Sequence, residues 1–198
     1  RTEIIAGLGW VVHNQEGRRV TLLLATLSDE AVLITADGLS IVESFGAPGR
    51  TTLQKIVPIP LRPVAVAQCG GNFLKVTGRG ELNLKRALSE WCATAFPQTV
   101  NDIAVNLNDW IRAVDSGYFT RSPSILWVAG FSKGNSRPEF YSVTEAGVEQ
   151  DERLQLAAGA GADFLEGKDW STHAEAWDIA VQRQKERGAW FFGGHRHQ

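Results

Sequence analysis

The apolar positions of this chain fall into short runs broken by Gly, Pro and polar turns. Val20 to Leu27 and Ala31 to Ala36 are two such runs, joined by Ser28-Asp29-Glu30. Their Val, Ile, Leu and Thr content and short length predict strands. Neither alternates cleanly, which predicts a sheet covered on both faces. Upstream, Glu3 to Val12 is apolar enough for a strand or a packed arm, with a turn over Asn14 to Gly17. Residues 38 to 52, rich in Gly, Ser and Thr, read as a loop or extended crossing. Lys55-Ile56-Val57 and Val64 to Ala67 predict a further strand pair, which Pro58, Pro60 and Pro63 push toward edges and turns. Gly70-Gly71 closes that pair, and 72 to 80 reads as a polar connection.

The periodicity then changes. Leu84, Leu88, Trp91 and Ala95 fall on one helical face that Pro97 terminates. Ile103, Leu107, Trp110, Ile111 and Val114 repeat the pattern, with Asn101 as the expected N-cap. Strands return at Ser124 to Phe131 and Glu139 to Val143, around a turn at Ser132 to Asn135. Gly147 marks another turn, and Leu154 to Ala158 a further strand. Gly159-Ala160-Gly161-Ala162 opens a short segment to Gly167. A last helix is expected over Thr172 to Arg187, where Thr172 and Glu175 form a capping-box signature. Ala189 to Phe192 reads as a final strand before a tail. Strands, two helices, strands and a helix, with doubly covered strands, predict an α+β fold: two stacked antiparallel sheets with helices outside, a four-layer αββα sandwich.

Composition narrows the function classes. With 198 residues and 43% hydrophobic content, one domain with a substantial core is expected. The net charge of −2 and the mixing of charge signs give no nucleic-acid or membrane-surface signature. No apolar run approaches the ~20 residues needed to span a bilayer, and the N-terminal segment lacks signal-peptide features, so a cytoplasmic location is expected. Cys69 and Cys92 make neither a disulfide framework nor a metal site and read as reduced core residues. His195 and His197 read as tail residues, with metal binding the alternative, and neither His13 nor His173 has a spacing that points to ligation or a triad. Trp91 and Trp110 read as core or subunit contacts. The chain has no Met and starts at Arg1, so as written it is not expected to be a complete initiator-started product.

The candidate chemistry lies in VTLLLATLSDEAVLITADG, Val20 to Gly38. Asp37 follows Thr21 by 37 − 21 = 16 residues. A strand that begins at a threonine, turns back and ends in an aspartate places both side chains at one mouth of a sheet, which suits a threonine nucleophile. Read singly, Thr21 is also an ordinary strand residue, Asp37 a turn former and Lys55 an edge charge.

Taken together, these blocks resemble the N-terminal-nucleophile hydrolase fold of proteasome subunits and the bacterial ring protease HslV. TLLLATLSDEAVLITADG is similar to the opening hairpin of that family, Lys55-Ile56 to its catalytic-lysine strand, and AVAQCGG to the strand ending in its oxyanion glycine. Two helices follow, then SILWVAGF, PEFYSV and LQLAAGAGADFLEG, similar to its second half; the resemblance covers residues 20 to 187. It implies residues 1–20 as an N-terminal arm or propeptide-like segment and 21–198 as the domain. It implies Thr21 as nucleophile once its amine is free, Lys55 to ease loss of the hydroxyl proton, Asp37 to hold Lys55, and Gly70 or Gly71 to stabilise the oxyanion. It implies a threonine-type hydrolase of peptide or amide bonds without a cofactor, in a homo-oligomeric ring that a regulatory ATPase serves. The alternative is an uncleaved, non-catalytic structural subunit of the same fold. Leu39 replaces the family's usual Arg, Ala157, Ala158 and Ala160 stand where a Ser is common, and Val20 rather than Gly precedes Thr21.

Overall fold

The computed structural model describes residues 22–36, 39–44, 47–52, 55–94, 99–121, 124–153, 155–158, 162 and 165–186. The expected strands at Glu3 to Val12 and Ala189 to Phe192, and Pro97 as a helix terminator, lie outside them. The first hairpin pairs β1 (Leu23–Leu27) with β2 (Val32–Ala36), Leu23 opposite Ala36. Its turn is tied by the Ser28 hydroxyl, which accepts the Ala31 N–H at 3.0 Å. Residues 38 to 52, expected as a loop or extended crossing, contain a second hairpin, β3 (Leu39–Ser44) and β4 (Ala47–Thr52). Next come β5 (Ile56–Pro58) and β6 (Val64–Cys69), as expected. The polar connection after Gly71 is a third hairpin, β7 (Phe73–Val76) and β8 (Gly80–Asn83), closed by two glycines of positive φ, Gly78 and Gly80.

Helices α1 (Leu84–Thr94) and α2 (Val100–Val114) follow. The N-cap of α2 is Thr99, not Asn101: its hydroxyl accepts the Asp102 N–H, and Asn101 lies inside the first turn. A one-turn helix, α3 (Tyr118–Arg121), precedes β9 (Ile125–Gly130), β10 (Glu139–Thr144), β11 (Gly147–Gln150) and β12 (Gln155–Ala158). The last helix is α4 (His173–Glu186). Thr172 caps it by accepting the Glu175 N–H at 3.2 Å, while the Glu175 carboxylate reaches back to the Ser171 N–H and hydroxyl at 2.8 Å each.

The strands form a three-stranded sheet, β12-β1-β2, and a five-stranded sheet, β11-β10-β9-β6-β5, all antiparallel. Alternation sorts their side chains between three cores. Leu22 and Leu24 of the first sheet pack under α4 with Leu165, Ala176, Trp177 and Ala180. Leu23, Ala25 and Ala36 face the second sheet and meet Ala67, Cys69, Trp127, Ala129 and Phe140. The opposite face of the second sheet, with Val64, Val66, Leu126 and Val128, packs on Leu88, Ile103, Leu107 and Ile111 of α1 and α2. Helix, sheet, sheet and helices are therefore stacked in that order. The start of β1 is covered on both faces, whereas β2, at the sheet edge, is buried only at Thr35 and Ala36 and leaves Leu33 45% exposed. The double cover expected of both runs thus holds for the first alone.

Cys69 and Cys92 are both buried and form no disulfide. Burial pushes the Cys92 thiol up to about 11, which keeps it un-ionised at neutral pH. Trp91 and Trp110 pack on each other between α1 and α2, ring centroids 5.9 Å apart. Among the described residues no helix is long and apolar enough to cross a membrane, and no cluster of metal-ligating side chains occurs.

Candidate active site

Thr21 and Asp37 lie outside the described residues. The structure fixes the hairpin that carries them up to their immediate neighbours: Leu22 is fully buried under α4, and Ala36, opposite Leu23, is fully buried between the sheets. The other candidates are described. Lys55 enters β5 and is only 5% exposed, which is unusual for a lysine and indicates that its surroundings compensate the charge; it is not without a partner. Its carbonyl accepts the Gln68 N–H at 2.9 Å. Because β5 and β6 are antiparallel, the entry of β5 and the exit of β6 meet at one end of the five-stranded sheet. Lys55 and the Gly70-Gly71 turn thus sit on neighbouring strand ends.

The turn itself is asymmetric. Gly70 is exposed and has φ +110°, a backbone angle that favours glycine. Gly71 is half-buried and held at both of its backbone groups. Its N–H donates to the Ser124 hydroxyl at 2.9 Å. Its carbonyl accepts from the Gln68 amide and from the Tyr118 hydroxyl, each at 2.8 Å. Ser124 and Tyr118 also touch through their hydroxyls, and burial pushes the Tyr118 phenol well above its ordinary range, so it stays a donor. Gln68 further donates to Asn72 at 3.2 Å.

Tyr118 reaches this position because of the turn that leaves α2. Asp115 ends that helix, its N–H donating to the Ile111 carbonyl. Its buried carboxylate accepts the Lys75 N–H at 2.7 Å and the Gly117 N–H at 3.2 Å, and forks onto Arg121. The Arg121 guanidinium holds the Asp115 carboxyl below the usual carboxylate range. One carboxylate so ties β7, the α2–α3 turn and α3 together. The sequence reading missed Gln68, Tyr118 and Ser124. Gln68 had left a signal: a lone amide in the apolar run AVAQC, two residues before the double glycine.

A second polar cluster lies under α4, at His173, whose spacing in the sequence points to neither ligation nor a triad. His173 is buried between Thr26, at 2.7 Å from Nε2, and Thr35, at 3.0 Å from Nδ1. The Trp177 indole N–H donates to the same Thr35 hydroxyl at 3.2 Å. With the ring proton on Nε2 and Thr35 donating to Nδ1, both ring nitrogens are served and the Thr35 oxygen is left to accept the Trp177 N–H. Burial lowers the His173 pKa.

No family model matches the chain. No curated protein matches it either. Among solved structures, a mutant of Anbu from Hyphomicrobium sp. strain MC1 matches over 89% of this chain and 79% of that one, with a TM-score of 0.59 and 15% identity. At that identity the likeness shows a shared fold, in keeping with the helix, sheet, sheet and helices order described above.

Proposed function

We propose that the chain is a threonine-type hydrolase of peptide or amide bonds, active once it is cleaved between Val20 and Thr21. The observation that carries this reading is Lys55, a buried lysine at a strand entry beside a glycine turn of positive φ, within a fold that the Anbu structure shares. A lysine taken out of water needs a compensating group, and Asp37 is the carboxylate we assign to that task.

In this scheme the Thr21 Oγ attacks the substrate carbonyl. Its freed α-amine, with a pKa near ~8, takes the hydroxyl proton and later hands it to the leaving amine. The Lys55 ammonium stabilises the charge developing on Oγ, and a backbone N–H of the glycine turn stabilises the tetrahedral oxyanion, a contribution of about 3 kcal/mol to the barrier. Water then hydrolyses the acyl-enzyme by the reverse proton path. While Val20 remains attached, the Thr21 nitrogen is an amide and has no lone pair to offer. The uncleaved chain is then a structural subunit. A homo-oligomeric ring and a regulatory ATPase partner belong to the same proposal.

Intact mass and N-terminal sequencing of the native chain test the first step, with a species starting at Thr21 expected. That species should be labelled by a threonine-directed electrophile, and Thr21→Ala should abolish both labelling and cleavage. An uncut, unlabelled native chain would leave the structural-subunit reading.

A further inference from the structure

We infer that Ser124, Tyr118 and Gln68 are positioning residues that clamp Gly71, so that the Gly70 N–H is the single backbone donor the turn presents to an oxyanion. This rests on the threonine-hydrolase reading above and sharpens it, since the sequence left Gly70 and Gly71 as equal candidates.

The argument starts from hydrogen-bond accounting. A backbone N–H serves an oxyanion only if it is not already donating inward. The Gly71 N–H donates to Ser124 Oγ at 2.9 Å, which removes it from the choice. N–H directions alternate along a strand. The Gln68 N–H leaves the β5 side of β6, toward the Lys55 carbonyl. The Gly70 N–H, two residues on, leaves by that same side, the side of Lys55. Donor and ammonium are thereby brought to one edge of the sheet.

The turn would not hold this orientation by itself. Gly70 and Gly71 carry no side chains, and glycine is the residue with the greatest backbone freedom. Three side chains from separate places instead hold the two peptide planes that meet at Gly71. Ser124, ahead of β9, holds the Gly70–Gly71 peptide through the Gly71 N–H, and Gln68 in β6 and Tyr118 in α3 hold the Gly71–Asn72 peptide through the Gly71 carbonyl. Tyr118 is 1% exposed and Gln68 4%, so both donors are fixed by packing as well as by their bonds. Preorganised donors matter because the oxyanion forms too briefly for the turn to find its geometry afterwards. A group acting through Gly71 in this way holds the reacting site in place without touching substrate.

The test uses the full chain in two measurements. Hydrogen exchange of the glycine amides, read by NMR, reports the clamp whether or not the chain is active. Gly71 should be protected, Ser124→Ala should speed its exchange at least about 10-fold, and Ser124→Thr, which keeps the acceptor, should restore protection. The second measurement uses chain processed to Thr21, a peptide boronate of three leucines that forms a tetrahedral adduct, and the same peptide as a simple amide. Ser124→Ala and Tyr118→Phe should each weaken the boronate and lower kcat about 10- to 100-fold, with binding of the amide and KM unchanged. Ser124→Thr should recover both.

Gly71 exchange indifferent to Ser124→Ala would overturn the clamp. Boronate binding and kcat equal to wild type in both variants would overturn its catalytic role while leaving the threonine-hydrolase reading intact. Processed wild-type chain that neither cleaves nor binds the boronate would end that reading, and with it the positioning role, leaving the three residues as turn structure.

Discussion

Two buried polar clusters serve the two sheets in opposite ways. Under α4, His173, Thr26, Thr35 and Trp177 bond to one another, and His173 also bonds the Ala25 backbone, so the bonds tie the helix to the hairpin beneath it. At the end of the five-stranded sheet, Gln68, Tyr118 and Ser124 direct their bonds onto the backbone of one glycine. The first cluster satisfies groups that packing has taken out of water and joins a helix to a hairpin. The second fixes the two peptide planes that meet at Gly71, whose neighbour, Gly70, is exposed. Buried polar groups are costly when unpaired, so both clusters stabilise the fold. Only the second leaves an oriented group at the surface, beside a buried lysine. The lesson is that function follows from where a polar network ends, more than from how many bonds it holds.

The largest expected effect tests the lysine on which this contrast depends. Lys55→Met and Lys55→Arg should both lower kcat by roughly 10²- to 10⁴-fold, the range for loss of a group that manages proton transfer. Arg retains the charge, yet its planar fork does not fit a space closed round a compact ammonium. Steady-state cleavage by the processed chain, with circular dichroism to confirm the fold, checks this. Full activity in Lys55→Met would put the glycine turn on the same structural footing as the His173 cluster.

Asp115 offers a second, smaller test, because it supports the clamp from a distance. Asn at this position keeps one acceptor and loses the charge that pairs with Arg121 and helps draw in two backbone N–H groups. A loss of about 1–3 kcal/mol in urea unfolding is expected. Turnover should fall too, since α3 carries Tyr118. His173→Asn should cost comparable stability with turnover per folded molecule unchanged. A drop in turnover for His173→Asn, or none for Asp115→Asn, would break the distinction between the clusters.

How much of this was legible in the sequence depended on range. The opening hairpin, the helices over Leu84 and Ile103 and the strands around Trp127 and Phe140 follow from local apolar runs, and the structure contains them. Two hairpins were hidden. In β3–β4 the Gly, Pro and Ser content favours loops, and in β7–β8 the polar alternation resembles a connection; pairing between partners decided both. Thr99 took the cap expected of Asn101 because the chain turned two residues earlier, where the Thr99 hydroxyl meets the Asp102 N–H. Within the candidate site, Lys55 and the glycine pair were picked out by the resemblance of their strands to those of a known family, and their roles stand as a proposal. Tyr118 and Ser124 were not, because what singles them out is a bond to a glycine 47 or 53 residues away, which local patterns do not encode. His173 likewise reads as the first residue of a helix, and only the sheet beneath it gives it partners 138 and 147 residues away.

The smallest effect belongs to the cluster under α4 and is read in pH. Burial lowers the folded-state pKa of His173 below its ordinary value of about 6.5. With its proton on Nε2, neutral imidazole accepts from Thr35 at Nδ1, whereas the imidazolium donates from both nitrogens, so the Thr35 hydroxyl would then receive both His173 and the Trp177 indole and have to turn its own proton elsewhere. The folded state therefore binds fewer protons than the unfolded state between the two pKa values. By linkage, stability rises with pH in that interval. The contribution is fully present above about pH 6.5 and declines as pH falls through the interval toward the lowered folded pKa. Carboxylates with depressed pKa values, such as Asp115 and Asp151, lose their own contributions at lower pH, so the informative quantity is a difference. Urea unfolding of wild type and His173→Asn at a series of pH values should give curves whose separation narrows as pH falls below about 6.5. Parallel curves would mean that His173 keeps the same protonation in both states, and that the cluster under α4 tolerates the charged ring as readily as the neutral one.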